Sequence, residues 1–253
     1  MKLTIYSFAL LFASGALLMS LGYRCSGTKK TVDAGPVEII QTNVNGQGIS
    51  IRLDFVKGES HNHPLMVVWT EDTSGRYIET LYVAESIGKG NFQHGDKSKG
   101  MWEAGAIQRP AALPYWGHKR GIQSANGLYI PTPENPVPDA VTGPTPTGNF
   151  QLQSRSTGQT PAVFKLLMEI NQSWDWNEFW TNNKFPDDLN YKTSSQPSLV
   201  YEAVIDLNSP VKSFEMAPIG HGHYSGKDGS LTADLSTLTT ALNIAEKIMV
   251  QVE

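Results

Sequence analysis

The sequence predicts an all-β fold: an antiparallel β-sandwich, immunoglobulin-like, with a long proline- and glycine-rich loop and one or two short helices. Three observations carry this expectation. Apolar and polar residues alternate over short runs, the period of a half-buried strand. Clusters of Asp, Ser, Thr and Gly separate those runs as turns. Eight of the 15 prolines fall between Pro110 and Pro146, where they interrupt any sheet ladder.

Composition narrows the function classes. The chain has 253 residues, of which 17% are charged and 40% hydrophobic, and a formal net charge of -4. That balance supplies no field for gripping nucleic acid or an anionic membrane, so no nucleic-acid partner is expected. A single cysteine, Cys25, excludes an internal disulfide framework and a thiolate zinc site.

The chain opens on an uncharged stretch from Leu3 to Tyr23, bounded by Lys2 and Arg24. Residues 1–24 therefore read as a signal peptide or N-terminal membrane anchor. Ser20 and Gly22 favour cleavage before Tyr23, and Arg24, Lys29 and Lys30 on the far flank weaken the anchor. Residues 25–36 read as a tether in which Cys25 is a free thiol or carries a lipid. Residues 37–253 read as a single β-sandwich domain. The expected location is outside the cytoplasm, periplasmic or membrane-anchored, with membrane association only through the N-terminal segment.

The elements follow in order. Ile49, Ile51, Leu53 and Phe55 alternate with Ser50, Arg52 and Asp54 and place an apolar face on one strand. Residues 65–84 read as a hairpin turning at Glu71 to Gly75. Ile87 to Arg109 shows little periodicity. The proline-rich segment after it carries Trp102, Tyr115, Trp116 and Tyr129 on or near it, aromatics that predict a packed loop over one end of a sheet. Phe150 to Ser154, Ala162 to Ile170, Leu199 to Leu207 and Ile244 to Val252 read as strands. A short helix is expected after Ser173, with Trp176, Phe179 and Trp180 on one face, and Ser236 is expected to cap another helical turn.

Candidate chemistry lies in two constellations. His61 and His63 stand at the entrance to one predicted strand, and His221 and His223 at the exit from another. In extended chain each pair presents two imidazoles on one face, so neighbouring strand ends would bring four ligands to one transition-metal ion, copper or zinc. Trp174, Trp176 and Trp180 form the second group. Their rings suit stacking on a glycan or, more simply, anchoring the expected helix. No phosphate-binding loop, dinucleotide fingerprint, nucleophile elbow or zinc-protease helix is present, so no catalytic residue is assigned.

Val67-Val68-Trp69-Thr70-Glu71-Asp72, Glu79-Thr80-Leu81, Leu113-Pro114-Tyr115-Trp116 and Asp139-Ala140-Val141-Thr142 together resemble a family of bacterial periplasmic proteins of unknown function. Its members are often encoded beside flavin transferases, and the resemblance implies location and fold more than activity. Asp139-Ala140-Val141-Thr142-Gly143-Pro144-Thr145 is further similar to the sequence on which flavin transferases esterify FMN to threonine. By that likeness Thr145 is the acceptor. Pro144 stands where that motif carries alanine, which makes covalent FMN a less favoured cofactor than one transition-metal ion.

The combined expectation is a non-catalytic bacterial cell-envelope protein that binds a ligand or an envelope partner through its proline-rich loop and histidine-bearing strand ends. A metal-binding or redox-accessory protein is the alternative, and a glycan-binding module the third.

Overall fold

Alternation in the sequence becomes burial on one side of a sheet. In the computed structural model, residues 37–101 and 103–253 are described, so the expected leader, the tether with Cys25, and Trp102 lie outside the described residues. In chain order the strands and helices are β1 (Glu38–Thr42), β2 (Ser50–Lys57), β3 (Leu65–Asp72), β4 (Tyr77–Ala84), α1 (Glu85–Lys89), β5 (Asn91–Asp96), β6 (Glu103–Ala106) and α2 (Pro114–Arg120). They continue as β7 (Thr142–Gly143), β8 (Phe150–Arg155), β9 (Val163–Asn171), β10 (Leu199–Asp206), β11 (Ser213–Glu215), β12 (Ala217–Gly222), β13 (Leu231–Thr232) and β14 (Ala245–Val252).

Two main sheets form a sandwich. The smaller has the order β1-β8-β2-β14-β11, the larger β13-β12-β10-β9-β3-β4-β7, and β5 pairs with β6 separately. Most neighbours are antiparallel, but β1 runs parallel to β8 and β4 parallel to β7. In β2, Ile51, Leu53 and Phe55 point inward; in β14, Ile248, Val250 and Val252 do the same, with Ile51 opposite Val252 and Phe55 opposite Ile248. They pack on Met66, Val68, Leu166 and Met168 of the larger sheet. The sandwich class is as the sequence led us to expect, whereas these strand orders do not establish its immunoglobulin-like variant.

The larger sheet is buried on both faces. Val67, Trp69, Val83 and Leu167 point away from the sandwich core and pack beneath Leu113, Trp116, Ile130 and Val137. This explains the unbroken apolar run Leu65 to Trp69, since a strand covered on both sides has no polar face to present. The proline-rich segment therefore covers a sheet face rather than a sheet end. It also holds more regular structure than its composition suggested. Pro114 opens α2 at its first helical turn, and Gly121 closes it with φ 69° in the left-handed region. His118, Lys119 and Arg120 in the last turn complement the helix dipole.

The expected hairpin over 65–84 is present as β3 and β4, with register shifts at Val68/Trp69 and Thr70/Glu71. The expected helix after Ser173 is absent. Trp174 lies at φ 63°, and the Asn177 side-chain oxygen accepts the backbone N–H groups of Phe179 and Trp180, a local turn that competes with helix formation. Ser236 caps no helix either. Its N–H donates to Asp234, and the single helical turn nearby is a 3-10 turn over Ala241–Asn243.

Candidate functional site

The glycine-rich stretch after β4 folds as α1 and the β5–β6 hairpin, and this places its polar side chains around a cleft of about 640 Å³. Glu85, Ser86 and Lys89 of α1 form one wall; Asn91, Phe92, Gln93, His94 and Ala104 of the hairpin form another. His63, Arg109, Pro144 and Thr145 complete it. The short pairing of β7 with β4 fixes Thr145, because Gly143 lies opposite Ala84 and the Pro144 carbonyl accepts a hydrogen bond from the Tyr82 hydroxyl at 2.6 Å.

Arg109 is the distinctive group of this cleft. Its guanidinium carbon lies 4.2 Å from the centre of the Phe92 ring and 4.8 Å from that of Trp174. Among the described residues no carboxylate lies within ion-pair distance of it. Burial lowers its pKa, yet a guanidinium stays charged. Lys89 is already neutralised by Glu85 at 2.8 Å and Asp139 at 3.2 Å, contacts that raise its pKa. Two residues at the cleft hold non-glycine backbone in the left-handed region, His63 on the lining at φ 52° and Trp174 behind Arg109 at φ 63°. Such strain persists only where surrounding contacts over-determine it, and it concentrates at binding sites.

The four histidines do not converge. β3 and β12 are separated by β9 and β10, a span of about 14 Å at ordinary strand spacing. Among the described residues no three His, Cys, Asp or Glu side chains are grouped to hold a metal ion. Local backbone explains the rest. Residues 61–63 are not extended; the His61 ring lies 5.8 Å from Phe55, while His63 turns into the cleft. His221 Nδ1 contacts the Gly222 carbonyl at 2.9 Å, and His223 Nδ1 accepts the Ser225 N–H while its ring stacks on Tyr224. The expected four-imidazole metal centre is therefore not formed.

The three tryptophans also part company. Trp180 is buried and donates its indole N–H to Thr237, whereas Trp174 and Trp176 are 46% and 51% exposed. Trp174 spends one ring face on Arg109, so no common sugar-stacking platform of the three exists. A second depression of about 680 Å³ lies over Phe185, Asp187, Asp188 and Tyr224. There Phe185 and Tyr224 stack on each other at 4.2 Å, and Lys184 sits over Trp180, so its cation is engaged.

Trp69, Glu71, Thr80, Tyr115 and Trp116, from the first three of the sequence motifs, assemble elsewhere, in the clamp holding α2 on the larger sheet. The Trp69 indole donates to Glu71 at 2.9 Å, and Lys119 of α2 reaches the same carboxylate at 3.2 Å. The Trp116 indole donates to the Thr80 hydroxyl at 2.9 Å. Beneath them Glu169 accepts the backbone N–H groups of Tyr115 and Trp116 and the Ser198 hydroxyl.

Arg109 and Glu169 both escaped the sequence reading, and both carry a signal in hindsight. Arg109 has no acid among the residues that follow it as far as Tyr115, and Glu169 is the lone charge in the apolar run Leu166 to Ile170. No protein-family model matches the chain, and neither a curated protein nor a solved structure is significantly similar to it. Among the described residues no helix is long and apolar enough to cross a membrane.

Proposed function

We propose that this protein is an exported, non-catalytic cell-envelope protein that binds a small ligand in the cleft bounded by α1, the β5–β6 hairpin and Thr145. One observation carries the reading: the proline-rich segment, through Pro144 and Thr145, and a histidine-bearing strand entrance, through His63, meet around one cavity of about 640 Å³. That volume falls within the range of small-molecule sites, and the wall mixes a few polar groups with Phe92, Ala104 and Pro144. Export rests on the leader pattern of residues 1–24.

Native mass spectrometry of the full chain extracted from the envelope tests this. Ala104 is exposed on β6 and lines the cleft, so Ala104→Trp fills it with little effect on the fold. A bound small molecule in the wild type that is missing from Ala104→Trp is the expected result. Equal loading of both forms, or none in either, overturns it.

The position of Thr145 favours a second reading, in which the ligand is FMN held by a phosphoester on the Thr145 hydroxyl. That hydroxyl makes no hydrogen bond among the described residues and lines the same cleft as Arg109. After co-expression with a flavin transferase, flavin fluorescence should stay with the denatured wild type and be lost in Thr145→Val. Fluorescence that washes away on denaturation removes this reading.

A further inference from the structure

Resting on the cleft reading above, we infer that the ligand is a phosphate monoester with an apolar body, bound through its phosphate by the Arg109 guanidinium that packs against Phe92 and Trp174. The geometry begins with the two rings. The guanidinium lies over both rings, and its five N–H donors, which lie in its own plane, are left for other partners. None of them donates to a side chain or carbonyl among the described residues, and none is sealed from solvent. Arg109 lines the cleft, so this unused fork faces the space a ligand fills.

Neighbouring groups extend the same chemistry. The Ser86 and Thr145 hydroxyls and the Asn91 and Gln93 amides line the cleft and make no side-chain hydrogen bonds among the described residues. Together with the guanidinium fork they outnumber the acceptor sites of a carboxylate and suit the three terminal oxygens of a phosphate monoester. Lys89 with its two partners Glu85 and Asp139 forms a cluster of net negative charge, so the attraction for an anion rests on Arg109. Ala104 and Pro144, exposed at the rim, leave room for an apolar body well beyond the phosphate.

Trp174 is a positioning residue in this account. Its indole N–H donates to the Lys192 carbonyl at 3.0 Å and its backbone N–H to the Ser194 carbonyl at 2.7 Å, which pins the ring despite the left-handed backbone. Glycine suits that backbone better than tryptophan does. Removing the ring should therefore leave the fold intact and still loosen the guanidinium, an outcome that a merely structural tryptophan does not give.

Calorimetric titration of the full chain with phenyl phosphate, inorganic phosphate and benzyl alcohol tests the inference. Wild type should bind phenyl phosphate more tightly than the bare anion or the neutral ring. Arg109→Gln should weaken phenyl phosphate by about tenfold or more, the scale of lost hydrogen bonds to a charged group. Arg109→Lys should recover little of it, lacking the planar fork. Trp174→Gly should keep its melting temperature and lose affinity for phenyl phosphate. Unchanged phenyl phosphate binding in Arg109→Gln, or benzyl alcohol binding as tightly as phenyl phosphate, overturns the inference while leaving a ligand cleft in place. Inorganic phosphate binding as tightly as phenyl phosphate reduces the site to a free-anion site and overturns it as well. Absence of binding by every probe, together with no ligand lost in Ala104→Trp, removes the cleft reading and this inference together.

Discussion

Trp116 donates its backbone N–H to the Glu169 carboxylate at 2.8 Å, and so ties the first turn of α2 to the middle of the larger sheet. Both residues are fully buried, and the Ser198 hydroxyl and the Tyr115 N–H complete the carboxylate's contacts. A charged group in this position weighs desolvation against hydrogen bonds, and desolvation prevails. Burial pushes the Glu169 carboxyl up to about 7, against the opposing pull of Ser198, Trp116 and Tyr115.

Stability should therefore fall as pH rises from about 4.5 to about 7. A carboxyl whose pKa is higher folded than unfolded holds its proton longer in the folded state, so its contribution is complete below the unfolded value and lost through the folded one. The loss is on the order of 3 kcal/mol. Asp72, held down to about 2 first by the Ser74 hydroxyl and then by the Arg76 N–H, acts with the opposite sign and only below this window. His61, whose pKa burial lowers from 6.5, acts with the opposite sign in the same window, so denaturant midpoints should fall more in the wild type than in Glu169→Gln across it; the same slope in both proteins refutes the assignment.

Lys119 reaches the nearly inaccessible Glu71 carboxylate, whose side chain is 2% exposed. Removing the cation leaves a buried charge whose one remaining side-chain partner among the described residues is the Trp69 indole. Lys119→Met should cost about 2 kcal/mol, less than a fully buried pair because the lysine is partly solvated. Pairing it with Glu71→Gln should restore much of that loss. A double-mutant cycle in urea checks both numbers, and strict additivity would show that the two residues do not interact.

Trp180 and Trp176 stand four residues apart yet should differ sharply. Trp180 is buried against Tyr191 and Tyr224 and bonded to Thr237, so Trp180→Ala should cost about 3 to 5 kcal/mol. Trp176 is half exposed, and Trp176→Ala should stay within about 0.5 kcal/mol. Equal effects in chemical denaturation would contradict the packing described above.

Gly222 lies directly over the Glu169 network. A Cβ there would meet Ser198 Oγ at 2.7 Å, Pro114 Cγ at 2.8 Å and Glu169 Oε1 at 3.2 Å. Gly222→Ala should therefore destabilise by about 1 to 3 kcal/mol through overpacking. It should also change the pH slope assigned to Glu169, which a strain confined to β12 would leave alone. Thermal melts at both ends of the pH window separate the two.

Period-two alternation in β2 and β14, and the turn at Glu71 to Gly75, made the strands and the hairpin legible, because each depends on near neighbours in sequence. The covering layer was harder to read. Its glycines and prolines signal irregular chain, yet α2 forms there because Leu113 and Trp116 find the second face of β3 and β9 to cover, a contact that no local pattern encodes. At the cleft, Thr145 and His63 were singled out for chemistries of their own, and their convergence depends on the parallel β4–β7 pairing. Arg109 passed unnoticed because a stacked, unpaired cation leaves no spacing to recognise. The Trp174 segment misled for the opposite reason: its helical spacing is real, but Asn177 captures the backbone first.

β2 has β14 as one neighbour, and the N–H and carbonyl of Ser50 exchange hydrogen bonds with those of Glu253. β2 must then wait for a strand far along the chain before its sheet can close. Until that moment Ile51, Leu53 and Phe55 belong to an unfinished ladder with an open edge. Such long-range closure makes for slow folding and a lengthy interval of stickiness.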